Sequence, residues 1–399
     1  MASGKVIMAQ PSSEAVASLY IHVPFCAQKC AYCAFYSAPA SSELIDRCVA
    51  ALIRELELVA RDLRPRTIYF GGGTPSLLNL GQWQRILHAM DRLNLAGATE
   101  WTVECNPATV SLEKAKLLRA AGVNRLSMGV QSLNETLLER LGRVHTRQMA
   151  FKAFDLVRQA GFDNLNLDLM FAIPGQTLEV WRKTLNEAIA MGSEHLSSYE
   201  VIYEEDTPLY TQLGARKDDA DEDLACAMYE ELIERATNAG LRHYEIANFA
   251  CDRAISRHPS TAKLPSHVCL HNVNYWRGGD FYGLGPSATT YVRGVRTKNR
   301  SDTRLYCDQL EQGRRAIGSR EELPPLSRAG ETAAFGLRMV SGWPFKQFRQ
   351  TTGYDLRQEW AEEMIQLVER GWGRLLPDRF HLTPQGLRFA DAAAQFFLR

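Results

Sequence analysis

Cys26, Cys30 and Cys33 fall within eight residues of one another, in the run YIHVPFCAQKCAYCAFYS. That spacing is too tight for three independent core cysteines and suits shared ligation. A closed structural zinc site takes four ligands, and neither a second Cys-x-x-Cys nor a paired histidine stands nearby to complete one. A 4Fe–4S cube has four irons and typically four thiolates, so three thiolates leave one iron open. That iron can chelate the amino and carboxylate groups of S-adenosylmethionine, and the reduced cluster can pass one electron to the sulfonium and release a 5′-deoxyadenosyl radical. Phe25, Tyr32, Phe35 and Tyr36 flank the thiols and would shield such a cluster from water.

Such chemistry needs a frame, and the pattern from residue 16 to about 204 supplies one. Strands are expected at 16–23, 66–73, 99–107, 125–131, 164–175 and 195–204. Helices are expected at 43–62, where Ile45, Val49, Leu52, Leu56 and Val59 share a face, and at 111–121. Ser132-x-x-Glu135 reads as a capping box opening the next helix. Alternating strands and helices imply βα units and a parallel sheet. The strands are two-faced: Arg125, Ser127 and Gln131 oppose Leu126, Met128 and Val130, while Asn164, Asn166 and Asp168 oppose Leu165, Leu167 and Leu169. Thr102 and Glu104 likewise oppose Val103 and Cys105. A doubly wound sheet should be apolar on both faces. One polar face fits a curved sheet around a wet or ligand-filled lumen, although the same residues at strand ends would also serve to hydrogen-bond loops. The expected fold class is α/β: a partial (β/α)6 TIM-like barrel, open along one side, with the cysteine loop at the C-terminal end of its first strand, where barrel active sites lie.

The remainder divides by composition. Residues 1–19 form an N-terminal segment, 20–240 the barrel, 241–322 an extension rich in aromatics, Gly and Asn, and 323–399 a smaller module. In the last, FHLTPQG reads as a strand and turn before a final helix, which fits a winged-helix-like unit or a plain helical cap. With 46 basic and 46 acidic residues there is no bulk electrostatic reason to expect nucleic acid. No stretch approaches the ~18 apolar residues of a membrane span, and the first residues lack the apolar run of a signal peptide; a cytoplasmic location is expected. Nine cysteines in a long chain without an export signal argue against a disulfide framework.

Other segments surround the cysteine loop. GGGTPS at 71–76 follows the second strand, and its glycines let backbone approach a ligand, though alone it would equally be a tight turn. Glu104 in VECNP is an acceptor at a strand end, suited to ribose hydroxyls. Arg143 in LGRVHT is a bidentate donor suited to a carboxylate.

Cys-x-x-x-Cys-x-x-Cys is the signature of the radical S-adenosylmethionine superfamily. From Tyr20 to Arg399 the motifs YIHVPFC, FGGGTPS, ECNP, MGVQS, LGRVHT, DLMFAIPGQT and HLTPQG resemble the oxygen-independent coproporphyrinogen III dehydrogenases and their relatives. The resemblance implies adenosylmethionine contacts at Tyr20, Tyr32, Gly72, Gly73, Thr74, Glu104, Gln131, Arg143 and Asp168. True dehydrogenases of this family carry a fourth cysteine two residues after the third, and a longer N-terminal extension. Here Phe35 stands at the cysteine position and nineteen residues precede Tyr20. The Cys-x-x-x-Cys-x-x-Cys-x-Phe form is similar to the HemW-type haem chaperones, as is His271-Asn272-x-x-Tyr275-Trp276, which resembles their haem-binding motif. That implies haem ligation by His271, delivery of haem to respiratory membrane proteins, and a homodimer. The alternative readings are radical enzymes: a coproporphyrinogen III dehydrogenase, against which Phe35 argues, a class C methyltransferase, or a haem-degrading methyltransferase.

Overall fold

The computed structural model describes residues 15–213, 221–252 and 264–399; residues 1–14 of the N-terminal segment lie outside these. Six parallel strands run in chain order across the sheet: β1 (Val16–Val23), β2 (Leu63–Gly72), β3 (Glu100–Cys105), β4 (Arg125–Gln131), β5 (Leu165–Phe171) and β6 (His195–Glu200). Each is joined to the next by a helical crossover, the arrangement that parallel pairing demands. The helix Ser42–Val59 buries Val49, Leu52, Leu56 and Val59 of the stripe read from the sequence, together with Cys48, while Ile45 is half-buried against the same core.

The helix after β4 starts differently from expectation. It spans Glu135–Arg140, and its cap is Asn134, whose side chain accepts from Leu137 N. Ser132 Oγ instead accepts from Asn134 N at 3.2 Å, and Glu135 accepts from Arg147 N at 2.9 Å. Asn is as good a cap as Ser, and the register moved by two residues.

The sheet extends beyond six strands to nine. β8 (Asn248–Ala250) pairs antiparallel with β6, β7 (Arg242–Glu245) pairs antiparallel with β8 on its far side, and β9 (Tyr282–Leu284) adds parallel to β1, pairing Leu19 with Tyr282. The aromatic and glycine-rich extension thus covers the edges of β1 and β6 and leaves short edge strands in their place, which are poorer templates for pairing. Strands of three or four residues leave too little periodicity to detect. β10 (Thr289–Val292), β11 (Val295–Asn299) and β12 (Ile317–Glu322) form a separate antiparallel sheet. This part is fastened to the barrel by Glu55, which is fully buried. Its carboxylate accepts from Gly285 N at 2.9 Å, Asn299 Nδ2 at 2.9 Å and Tyr306 OH at 2.8 Å, and pairs with Arg315 at 3.3 Å.

The pleat decides which residues enter the lumen. The β1–β4 register places Tyr20, Tyr69, Thr102 and Arg125 in one row, and the next inward row carries Glu104, Ser127, Asn166 and His195. Leu126, Met128, Val130, Leu165, Leu167 and Leu169 point the other way into the apolar layer beneath the helices. The polar face read from the sequence is therefore the inside of the barrel.

The last part of the chain combines helices, among them Pro325–Gly336 and Ala361–Glu369, with a three-stranded antiparallel sheet of Trp343–Pro344, Gly373–Leu375 and Arg379–Leu382. It has its own core, built on Trp343, Phe348, Trp360, Phe380 and Phe397. Backbone bonds from Ile246 N to Arg338 O (3.1 Å) and from Val340 N to Tyr244 O (3.0 Å) attach it to the barrel edge.

Candidate functional site

The cysteine loop leaves β1 at the barrel mouth and is held from several sides. Ala38 N donates to Pro24 O at 3.0 Å, Ala31 N to Leu141 O at 3.0 Å, and Leu209 N to Ala31 O at 2.8 Å. Cys26, Cys30 and Cys33 are free thiols, each partly accessible. Burial pushes the Cys33 thiol up, and the Cys30 and Cys26 sulfurs add to this, so the loop holds the three sulfurs in one another's field. Among the described residues no three Cys, His, Asp or Glu side chains converge on a single metal ion.

The glycine strap at 71–74 is tied to this loop. Gly73 N donates to Val23 O at 2.8 Å and Thr74 N to Phe25 O at 2.7 Å, while Thr74 Oγ1 lies 3.6 Å from Cys26 Sγ. A Cβ on Gly73 would come within 2.7 Å of the Phe25 backbone. Gly72 adopts φ +101° against the His22 ring. Only glycine serves at both positions. On the opposite side Arg143 Nη1 donates to Cys30 Sγ at 3.4 Å and Nη2 to Gly129 O, while its buried Nε finds no partner among the described residues. Gln131, at the end of β4, has φ +64° beside a register shift in the β4–β5 ladder. A non-glycine residue held there stores strain, a feature that gathers at ligand sites.

Below the strap the lumen is a connected polar network. Asp168 accepts from Ser127 Oγ and Asn166 Nδ2, both at 2.9 Å, and burial holds its carboxyl above the usual range. Glu104 accepts from Tyr69 OH at 2.7 Å. Burial pushes its carboxyl up to about 7, against the hydrogen bond from Tyr69. Tyr20 OH meets His22 Nδ1 at 3.1 Å, and His22 Nε2 meets Tyr36 O at 2.8 Å, linking the lumen wall back to the cysteine loop. Tyr32 lies on the loop beside Cys30 and Arg143.

Of the residues singled out from the sequence, the three cysteines, Tyr32, the strap, Gln131 and Arg143 gather at the mouth. Glu104 and Asp168 line the chamber beneath, with Tyr20 one row deeper than Glu104. His271 lies elsewhere, on the helix Leu270–Trp276 at the opposite end of the lumen. It is 1% exposed, and burial lowers its imidazole to about 3, so the ring is neutral. Nδ1 lies 2.9 Å from Thr67 Oγ1 and Nε2 lies 2.7 Å from Tyr275 OH. Both nitrogens are engaged, so an iron at His271 would require the ring to give up one of these partners. In this arrangement the residues around His271 do not fit a haem.

Sequence reasoning passed over Tyr69, Glu100, Ser127 and Asn166 as functional candidates. Glu100 accepts from Leu270 N at 2.8 Å and His271 N at 3.0 Å, capping the His271 helix with a buried carboxylate. Its signal was available: Glu100, Thr102 and Glu104 share a strand face.

Residues 20–188 match the model of the radical SAM superfamily, and residues 323–389 match that of the HemN C-terminal domain. The protein named heme chaperone HemW of Bacillus subtilis is 33% identical over 387 residues, which cover 96% of this chain and 99% of that one. Its namesake in Escherichia coli is 33% identical over 391 residues, covering 96% and 98%. This chain belongs to the HemW family of radical SAM proteins. The solved Escherichia coli coproporphyrinogen III oxidase HemN superposes with a TM-score of 0.80 at 22% identity, over 96% of this chain and 90% of that one, which shows the shared fold.

The mouth of this HemW-family chain fits the cofactors that a radical SAM domain implies. Three accessible thiols on one loop suit a cluster with one open iron. An unpartnered guanidinium nitrogen, a glycine strap and a buried acceptor suit an amino acid joined to a ribose. Phe35, at the position of a fourth cysteine in the dehydrogenases, is 69% exposed at the rim.

Proposed function

We propose that this chain is a haem chaperone, which binds haem and passes it intact to haem-accepting respiratory membrane proteins from the cytoplasmic side. The observation that carries the reading is end-to-end similarity, at 31–33% identity, to relatives named heme chaperones. Phe35 in place of a fourth cysteine supports it over the dehydrogenase alternative. Among the described residues no helix is long and apolar enough to cross a membrane. The reading includes a homodimer.

In this reading Cys26, Cys30 and Cys33 hold the 4Fe–4S cluster, and Tyr20, Tyr32, Gly72, Gly73, Thr74, Glu104, Gln131, Arg143 and Asp168 receive adenosylmethionine. Together the bound groups supply one-electron reductive cleavage chemistry at the mouth. The protein's own part is to position and to exclude water. The strap presents backbone without side chains in the way. Arg143 offers its free Nε to a carboxylate, and Glu104 accepts from hydroxyls once ionised. Ligation of haem by His271 would require the ring to release Thr67 or Tyr275 and its helix to leave the lumen.

The test is a haem titration of the anaerobically reconstituted protein, followed by absorbance. Saturable binding near one haem per chain is expected. No saturable binding would overturn the chaperone reading and leave a radical enzyme acting on another substrate.

A further inference from the structure

The His271 helix is built into the barrel more deeply than a docking motif needs to be. Its N-terminus is capped by Glu100 of β3, and Cys269 N donates to Tyr244 OH at 3.1 Å. Its C-terminal end is fixed to the last part of the chain, where Arg277 donates to Gly342 O at 2.7 Å and to Ser341 Oγ at 2.9 Å. Between these anchors the His271 ring is fixed by Thr67 and Tyr275 and lies stacked on Tyr69, with centroids 5.3 Å apart and planes at 29°. The other end of Tyr69 is its hydroxyl, which donates to Glu104 Oε1 at 2.7 Å. Tyr20 flanks the same rings, 6.1 Å from Tyr69 and 6.4 Å from His271. A continuous line of contacts therefore runs from the floor of the lumen to the chamber below the cysteine loop.

We propose that Tyr69 and His271 are positioning residues for the adenosylmethionine chamber: His271 braces the Tyr69 ring, and Tyr69 orients the Glu104 carboxylate. This rests on the reading of Glu104 as the acceptor for the ribose hydroxyls. In this fold His271 serves that chamber and not an iron. The physical reason is that Glu104 is a half-buried acceptor whose carboxylate can turn about its last side-chain bond unless donors hold it. The Gly72 amide and the Tyr69 hydroxyl both favour the carboxylate, and of the two only the Tyr69 donor rides on a side chain that must itself be held. A phenol on an unbraced ring would have to be ordered at the moment of binding, which weakens affinity.

The experiment is equilibrium dialysis of labelled adenosylmethionine against the cluster-reconstituted full chain, without haem, over pH 6 to 9. Glu104→Ala should abolish measurable binding. Tyr69→Phe, which keeps the ring and the stack, should weaken binding about ten-fold. His271→Ala should weaken it several-fold, with His271→Phe, which returns a ring beneath Tyr69, lying between it and wild type. In wild type, affinity should fall as pH drops through about 7, where the Glu104 carboxyl takes a proton. The titratable and charged groups in the field of that carboxyl are Tyr20, Tyr69, Cys105, Arg125, Asp168 and Tyr199. Removing the Tyr69 donor, which favours the carboxylate, should move the midpoint upward; a purely structural role would leave the midpoint in place. If Glu104→Ala binds normally, the ribose reading fails and the proposal falls with it. If Glu104→Ala loses binding while Tyr69→Phe and His271→Ala stay within two-fold of wild type at every pH, Glu104 stands and the bracing proposal is overturned.

Discussion

The two ends of the barrel lumen are made from the same strands and finished in opposite ways. At the mouth, polar groups are left incompletely used: three free thiols, an Arg143 nitrogen without a partner, and Gln131 held at positive φ. Around His271 they are mostly paired, although Thr102 Oγ1, Arg125 Nε and Trp276 Nε1 have no partner among the described residues. His271 has both nitrogens occupied, Glu100 accepts from two backbone amides, and Thr67 bonds both Ser18 and His271. Buried polar groups without partners cost stability. The three open thiols beside the unpartnered Arg143 Nε favour the mouth for cofactors, and the saturated ring of His271 favours scaffolding at its end of the lumen.

The largest expected effect comes from the thiols. Cys30→Ala should abolish cluster assembly, taking bound iron and sulfide after anaerobic reconstitution from about four of each per chain to near zero. The melting temperature of the metal-free protein should stay within a few degrees, because Cys30 is a partly accessible loop residue. A large drop in metal-free stability would mean that the mouth is scaffold as well. Next is Arg143→Met, which should weaken adenosylmethionine binding by at least ten-fold in the same dialysis measurement, with Arg143→Lys recovering only part, because an ammonium cannot hold Cys30, Gly129 O and the ligand in the fixed directions of a guanidinium.

Stability against pH sharpens the contrast further. Glu104 has a raised carboxyl in the folded state, so its contribution is fully present below the unfolded value near 4.5 and is lost as pH rises through about 7. Glu104→Gln should therefore raise the melting temperature of the metal-free protein at pH 8 and change it little at pH 4.5, while abolishing adenosylmethionine binding. The floor has the opposite sign. Burial lowers His271 to about 3, and His243, in the adjoining edge strand β7, to about 4. Their contribution is present above the unfolded value near 6.5 and is lost as pH falls toward those values. Each proton taken up on unfolding steepens the loss by about 1.4 kcal/mol per pH unit. His271→Phe should flatten the acid limb of a urea-stability profile between pH 6 and 4. The smallest effect concerns Gln131. Gln131→Gly should relieve the positive-φ strain and stabilise the metal-free protein by about 1 kcal/mol in urea denaturation.

The parts of this architecture that were legible in the sequence are those with sustained periodicity. Arg125–Gln131 is a strand at the residues expected, and the alternation through Leu165–Phe171 identified the inner face before any coordinates. The mouth was legible because its residues are local in sequence: eight residues contain all three thiols, and four contain the strap. The floor was not, because it is assembled from distant pieces. Thr67 and His271 are 204 residues apart, and Glu100 reaches its helix across 171. No local pattern announces that a seven-residue helix in an aromatic stretch will be drawn inside a barrel. Haem ligation by His271 was implied by the resemblance, whereas a lone histidine in an aromatic stretch is more often hydrogen-bonded structure; among Thr67, Tyr69 and Tyr275 it is a neutral, saturated ring. The shift of the cap from Ser132 to Asn134 is of another kind: the motif was read at the right turn, and the chain enters the helix two residues later.

The chaperone reading itself is tested most directly by transfer. Chain reconstituted with cluster and adenosylmethionine, then loaded with haem, is mixed with membranes containing a haem-free respiratory enzyme, and the tetrapyrrole is extracted and analysed by mass. The account predicts that haem leaves the chain, appears in the membrane fraction chemically unchanged, and restores the acceptor's absorbance. A tetrapyrrole recovered with its side chains or ring altered, or haem that never leaves the chain, would contradict it.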